Sequence, residues 1–440
     1  MRLRVVLLAA CAVAVSVGGG GAFSAPAAGR AARRFPSTRS GILVFNDQLA
    51  MRSTSEAQVR FAARHYAGSQ KLTRSEARHL RRYNPSFLVL HYRLGQSLGH
   101  SPADANGDPT GRFIQIVRGD QWVREWPGDA AAKEEWFFHW GGSRVFCRDW
   151  GHYLMDLDNP GWRAWWSDQV IRELKANEDD GVFADSYMVP NYGFTWNPPL
   201  PAVDAAFETD WARREHAFTD YIRSRFAGRW KWIPNVSGLT TTRDPSDYSN
   251  VDGVMIEGFA EGGHGQWFPI MDWELQMNRI LPLVRADRIL IAQSYPEITD
   301  VEERLFILSS YLLIKGDHSY LNLEVSSLPE WFPEYDLNLG PPKDHLPKMI
   351  SALLHPSWQV YVRRYAKGFV LVNPTETERR VDLGRQYFRV QPRGGGVVAK
   401  DGVPPGSLTY EPVRALVLGA HRSAVLLTKR PTAGGSPLKR

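Results

Sequence analysis

The sequence predicts a (β/α)8 TIM barrel, an α/β fold, followed by a small C-terminal antiparallel β-sandwich. Three observations carry that expectation. From residue 41 onward, short apolar runs alternate with amphipathic stretches, the pattern of repeated βα units on a parallel sheet. Eight such runs lie between residues 41 and 323, which favours a closed barrel over an open doubly wound sheet. Past residue 357 the runs alternate at period two and no helical pattern separates them, as in a small sandwich.

The first strand is expected at 41–45, Gly41-Ile42-Leu43-Val44-Phe45, and the next at 66–72, the least apolar of the eight. The others fall at 87–92, 181–185, 231–236, 253–257, 288–293 and 319–323. Helical periodicity marks 56–66, 74–83, 162–176, 205–226, 271–284 and 301–314. The helix near residue 160 has a clear start, with Asn159 as N-cap and Pro160 suited to the first helical position. Asp156 and Asp158 then read as capping residues, and an Asp-x-Asp calcium site needs more oxygen ligands than this spacing supplies. Between the third and fourth strands a long insertion near 94–152 holds five of the sixteen tryptophans, Trp122, Trp126, Trp136, Trp140 and Trp150. Two readings fit it: the core of a small subdomain, or a platform on which sugar rings stack. Sandwich strands are expected at 359–365, 368–373, 379–383, 413–418 and 423–428, with 431–440 a disordered tail.

Arg2 and Arg4 precede a 13-residue apolar run, Val5 to Val17, and a small-residue stretch ending at Ala28. This is a signal-peptide pattern over 1–28, because a spanning helix needs about 20 apolar residues. Residues 29–40 read as a basic linker, 41–356 as the barrel and 357–430 as the sandwich. The expected product is a secreted protein, extracellular or in the cell envelope, with no membrane anchor after cleavage. The net charge of +6 lies in residues 1–40, which hold six Arg and no acid, so the remainder sums to zero. Nucleic acid is therefore not an expected partner. After cleavage Cys147 is the only cysteine, which excludes an internal disulfide or a Cys-based zinc site and leaves a small buried hydrophobe. No cofactor or metal is expected, and the oligomeric state carries no signal.

In such a barrel the residues closing the strands at their C-terminal ends line the functional face. Asp185 ends Asp180-Gly181-Val182-Phe183-Ala184-Asp185, and Glu257 ends the similarly laid out Asp252-Gly253-Val254-Met255-Ile256-Glu257. Asp180 and Asp252 fall at the opposite face as turn residues. Neither Asp185 nor Glu257 is followed by a prompt helix start, so capping explains them poorly. Two carboxyl groups are what glycosidic cleavage requires, one ionised and one protonated. Asp185 is assigned as nucleophile and Glu257 as acid/base, with Glu261 its nearest rival. Substrate-binding candidates are Asp47, His91, Tyr92, Trp150, Tyr187, Asn235, Glu261, Gln293, Tyr295 and Glu324.

At these residues the chain resembles the glycoside hydrolase barrels, and most closely the hypothetical glycosyl hydrolase family numbered 15. The carrying motifs are Met155-Asp156-Leu157-Asp158-Asn159-Pro160-Gly161-Trp162-Arg163, the Asp185 strand, Leu371-Val372-Asn373-Pro374, and Ser423-Ala424-Val425-Leu426-Leu427. A nucleophile closing strand four and an acid closing strand six is similar to the alpha-galactosidase type of barrel. That likeness implies retention of configuration and an α-linked oligo- or polysaccharide substrate. The chain departs from it in carrying Glu257 where such barrels have Asp. The competing expectation is a non-catalytic carbohydrate-binding or cell-envelope protein on the same fold.

Overall fold

The computed structural model describes residues 33–100, 115–323 and 326–431; the expected signal peptide, most of the tail and Glu324 lie outside them. Eight parallel strands form one sheet: β1 Val44–Asn46, β2 Tyr66–Gln70, β3 Leu88–Leu94, β4 Gly181–Asp185, β5 Lys231–Pro234, β6 Gly253–Glu257, β7 Ile289–Ser294 and β8 Ser319–Leu323. Their order is β5-β4-β3-β2-β1-β8-β7-β6. The ring is completed where Asn235 bridges Met255 in parallel and the Val236 N–H donates to the Met255 carbonyl at 3.1 Å.

Period-two alternation sorts the side chains. Phe45, Leu88, Leu90, Tyr92, Phe183, Ile233, Met255, Ile289, Ile291 and Tyr320 fill the barrel. Their sequence neighbours, among them Val89, Val182, Trp232, Val254, Leu290 and Leu321, pack outward into the layer of helices. The repeated Asp-Gly pairs have a double role at the N-terminal face. A Cβ at Gly181 would stand 2.5 Å from the Lys231 carbonyl and one at Gly253 2.5 Å from Ile289, so glycine lets the neighbouring strand close in. The preceding carboxylates accept from the same neighbourhood: Asp180 from the Val89 N–H at 2.9 Å and from Arg81 at 3.0 Å, Asp252 from the Trp232 N–H at 3.0 Å and from Arg223 at 3.2 Å.

Among the described residues six α-helices surround the ring: α1 Glu56–His65, α2 Arg74–Tyr83, α3 Pro160–Asn177, α4 Ala205–Phe226, α5 Ile270–Arg285 and α6 Val301–Ile314. Ser55 and Thr73 close capping boxes with Gln58 and Glu76, and Asn159 accepts from the Trp162 N–H at 3.0 Å. Among the described residues the β5–β6 connection holds no helix, and the only helical segments between β8 and the C-terminal sheet are 3-10 turns, Pro333–Asp336 and Ile350–Leu353.

Residues 33–40 are not the free linker expected of a polar, basic stretch. Arg33 pairs with Asp180 at 2.7 Å, Phe35 stacks on Phe45 inside the barrel, and the Pro36 carbonyl accepts from the Tyr320 hydroxyl. One aromatic among arginines is enough to plug the bottom of the ring.

The insertion is a subdomain. A four-stranded antiparallel sheet orders Trp196–Asn197, Phe146–Cys147, His152–Leu154 and Ser97–Gly99, flanked by two hairpins. Trp126 packs against Phe137 and Tyr153, and Trp136 against Trp162 and Trp165, so these two serve the core reading; Trp140 keeps 37% of its surface open. Cys147 is buried, and burial pushes its thiol up to about 11. A buried Arg93–Glu125 pair at 3.2 Å, with Glu125 also accepting from the Gly99 N–H at 2.7 Å, pins the insertion to β3. Asp156 and Asp158 face Arg214, Arg163 and Arg213, so they are ion-paired residues of the turn before α3.

The C-terminal sheet comprises β9 Tyr361–Arg364, β10 Gly368–Asn373, β11 Arg379–Arg393, β12 Ser407–Leu418 and β13 Arg422–Leu427, ordered β9-β10-β13-β11-β12. One face, with Val370, Val372, Val425 and Leu427, joins the core around the barrel. Across the other face Leu371, Ala424 and Leu426 meet Val381, Leu383, Leu416 and Leu418. The β11–β12 register shifts between Asp382 and Tyr387, and this is where the sheet bends over to close the second layer.

Candidate active site

The alternation that fills the barrel also builds its mouth. Two residues beyond the last apolar inward side chain come Asp47 after Phe45, Tyr92 after Leu90, Asp185 after Phe183, Asn235 after Ile233, Glu257 after Met255, Gln293 after Ile291 and Asn322 after Tyr320. The backbone then turns sharply: Lys71, Ser186, Ser237 and Gly258 all have positive φ, between 56° and 73°.

All of these groups except Asp47 are linked, with Tyr295, in one hydrogen-bonded chain around the opening. Asn235 Nδ2 donates to Asp185 Oδ1 at 2.9 Å and to Glu257 Oε2 at 2.7 Å. The Tyr92 hydroxyl donates to Asp185 Oδ2 at 2.9 Å, and the Ser186 N–H to Oδ1 at 2.9 Å. The Tyr295 hydroxyl donates to Glu257 Oε1 and accepts from Gln293 Nε2 at 2.7 Å; Asn322 Nδ2 donates to Gln293 Oε1 at 3.2 Å. On the far side Lys71 Nζ pairs with Asp47 Oδ2 at 2.9 Å, and Gln70 Nε2 donates to Asp47 Oδ1. Sharing one amide nitrogen sets the nearer oxygens of Asp185 and Glu257 less than about 6 Å apart.

Glu257 is exposed at the mouth, while protein packs around the inner side of its carboxyl. That enclosure first, and then the charge of Asp185, raises its affinity for a proton; the Tyr295 and Asn235 hydrogen bonds pull the other way. Tyr92 is held well above the usual phenol value by burial and by Asp185, so it remains a donor.

The structure brings Asp47, Tyr92, Asp185, Asn235, Glu257, Gln293 and Tyr295 into this ring, and places four other candidates elsewhere. His91 points outward from β3, with Nε2 3.0 Å from Glu173 of α3 and Nδ1 3.6 Å from Asp179. One residue of strand parity separates it from Tyr92. Tyr187 is buried between Trp232 and Phe218, its hydroxyl donating to the Glu215 carbonyl of α4. Glu261 is fully buried on the outer side of β7, accepting from the Ser294 hydroxyl at 2.9 Å and hydrogen-bonded to Glu303 of α6. It is thus no rival to Glu257. Trp150 is half-buried against the packing outside the barrel. Glu324 is outside the described residues.

Two ring members were not read from the sequence. Asn322 had a usable signal, a polar residue inside the apolar run Tyr320-Leu321-Asn322-Leu323. Lys71 had little, because Gly68-Ser69-Gln70 breaks the alternation that would fix its side, and a register shift near β2 breaks it in space as well. Among the described residues no cluster of three or more His, Cys, Asp or Glu suited to a metal ion is found, and no helix is long and apolar enough to cross a membrane.

Residues 81–369 match the sequence model of hypothetical glycosyl hydrolase family 15, well over half of the chain. The chain belongs to that family. This family-15 barrel is also similar to solved structures at low identity. A noncanonic maltogenic alpha-amylase, AmyB, from Thermotoga neapolitana is 12% identical, covering 87% of this chain and 98% of that one with a TM-score of 0.39. An Anoxybacillus alpha-amylase is 11% identical, covering 85% and 89% with a TM-score of 0.33. The GH36 alpha-galactosidase AgaA from Geobacillus stearothermophilus is 10% identical, covering 88% of this chain and 56% of that one with a TM-score of 0.35. Among curated proteins the sequence finds no match.

Proposed function

We propose that this family-15 member is an exported glycoside hydrolase that cleaves an α-linked oligo- or polysaccharide with retention, using Asp185 as nucleophile and Glu257 as acid/base. The carrying observation is the single Asn235 amide that donates to both carboxyl groups. Retaining enzymes hold the two groups about 5 to 5.5 Å apart and inverting ones about 6.5 to 9.5 Å. A shared hydrogen-bond donor keeps the nearer oxygens within about 6 Å of each other, which supports the shorter spacing.

The roles follow from surroundings. Asp185 accepts three hydrogen bonds, which hold its carboxyl group in one orientation for attack on the anomeric carbon. Glu257, whose proton affinity is raised, donates to the departing glycosidic oxygen and then takes a proton from the water that releases the sugar. The methylene that Glu257 has beyond an aspartate carries its carboxyl to both Asn235 and Tyr295. The α configuration rests on the strand-four and strand-six layout that the chain shares with alpha-galactosidase-type barrels. Export rests on the N-terminal signal-peptide pattern.

The test measures reducing ends released from a panel of α- and β-linked polysaccharides by wild type, Asp185→Asn and Glu257→Gln. Activity on an α-linked glycan that falls at least about 10²-fold in both variants supports the reading. Binding without turnover by wild type, or full activity in both variants, contradicts it.

A further inference from the structure

Asp47 and Lys71 form an ion pair inside the mouth that the cleavage chemistry does not use. Nζ of Lys71 lies 2.9 Å from Asp47 Oδ2, and both side chains are about nine-tenths buried, at 9% and 10% exposure. The pair is held in place: Gln70 donates to the other Asp47 oxygen, and the Lys71 ammonium stands 5.0 Å from the Tyr92 ring centroid and 6.0 Å from that of Phe183. A buried ion pair is poor value for stability alone, because desolvation offsets the attraction. Its position gives it another use. In the strand order, β1 and β2 stand four places around the ring from β5 and β6, so the pair faces Asn235 and Glu257 across the opening.

Resting on the two-carboxylate reading above, we propose that Asp47 and Lys71 are the recognition site for the 4-hydroxyl of a neutral pyranose at the non-reducing end of the substrate, which makes the enzyme exo-acting. In a pyranose, C4 lies directly across the ring from C1. A sugar with its anomeric carbon between Asp185 and Glu257 therefore presents C4 to the β1–β2 side. A hydroxyl both donates and accepts, and the pair offers a carboxylate acceptor and an ammonium donor side by side. The pair is net neutral, so it suits an uncharged group. Being about nine-tenths buried, the pair offers its remaining exposed edge to a hydroxyl and leaves no place for a further sugar linked at that position.

The experiment takes whichever p-nitrophenyl α-glycoside, of glucose, galactose or mannose, wild type cleaves fastest, together with its 4-deoxy analogue. Wild type should lose at least about 30-fold in kcat/KM on the deoxy compound, since a site built to bind a hydroxyl leaves its polar groups unpaired without one. Asp47→Asn and Lys71→Met should each lose at least about 30-fold on the parent compound, mainly through KM, while the deoxy penalty shrinks below about fivefold. Each single change leaves one buried charge unpaired, so the double variant Asp47→Asn/Lys71→Met, which removes both charges, is assayed beside them. Parent activity within threefold of wild type in the double variant, or a deoxy penalty that persists in it, overturns the proposal. Asp185→Asn in the same assay separates the two claims. If it is inactive while the double variant behaves as wild type, only the recognition site fails; if it is fully active, the two-carboxylate reading itself falls.

Discussion

One amide nitrogen, Nδ2 of Asn235, holds two carboxyl groups of different character at the mouth of the barrel. Asp185 sits among donors; Glu257 is crowded and faces that negative charge. The account requires Asp185 ionised and Glu257 protonated, so kcat/KM should fall at high pH as Glu257 loses its proton, at a pH displaced upward from the ordinary carboxylate range. Glu257→Gln should remove that alkaline limb when measured on an aryl glycoside with a good leaving group, and an unchanged limb would assign it to another group. The same shift bears on stability. The folded state binds the Glu257 proton more tightly than the unfolded chain, so ionising it as pH rises above 4.5 weakens the fold. Because Glu257 is exposed, solvent screens much of that penalty, and the melting temperature of wild type should fall only slightly between about pH 5 and neutral, a slope that Glu257→Gln should flatten while losing activity. Asp185 and Glu257 were legible because a charged residue closing an apolar strand has few structural uses. His91 and Tyr187 were misplaced because one residue of parity, or a turn past the strand end, moves a side chain from the mouth to the helix layer, and composition does not reveal which side is inward.

At the scale of elements, the loop after β6 is tied to the start of α6 by two buried acids. Glu261 is hydrogen-bonded to Glu303, and the Gly265 N–H donates to both. Burial first and Glu303 second raise Glu261 to about 8 from 4.5. Between those values the folded state holds more protons than the unfolded one, so the contact is sound in acid and stability declines as pH rises toward 8. Glu261→Gln keeps a donor to Glu303 that cannot ionise. Its melting temperature should match wild type near pH 5 and exceed it at pH 8.5, flattening the slope; a parallel curve would show that Glu261 is not the titrating group. Among the described residues the eight barrel strands and the six α-helices were visible as periodicity, with ends displaced by a few residues. Less was visible in the insertion and in the long β11–β12 hairpin, because their two- to four-residue strands and their bend depend on contacts between distant segments. Phe35 is the same lesson in one residue: local composition spoke for a tether, and tertiary packing placed it in the core.

For the whole molecule, the barrel and the C-terminal sheet share a core. In α6 every residue from Glu303 to Ile314 is buried, since strands of the barrel lie on one side and β10 and β13 on the other. Arg363 of β9 donates to the Leu312, Leu313 and Lys315 carbonyls, capping the end of that barrel helix from the satellite sheet. The boundary near residue 357, though evident as a change of pattern, should therefore not be a boundary of stability. Calorimetry should show a single transition for the intact chain, and a chain ending at residue 356 should aggregate through the exposed face of α6; a soluble truncated barrel that melts cooperatively would contradict this. The central claim is that two acids from different strands flank one glycosidic bond, with Asp185 forming the covalent link. The most direct measurement is peptide mass spectrometry after inactivation with a 5-fluoro-α-glycosyl fluoride, which slows release of a glycosyl-enzyme. The account predicts one added glycosyl unit on the peptide carrying Asp185 and none in Asp185→Asn. A label on Glu257, or turnover of the reagent to an inverted product without any label, would contradict it.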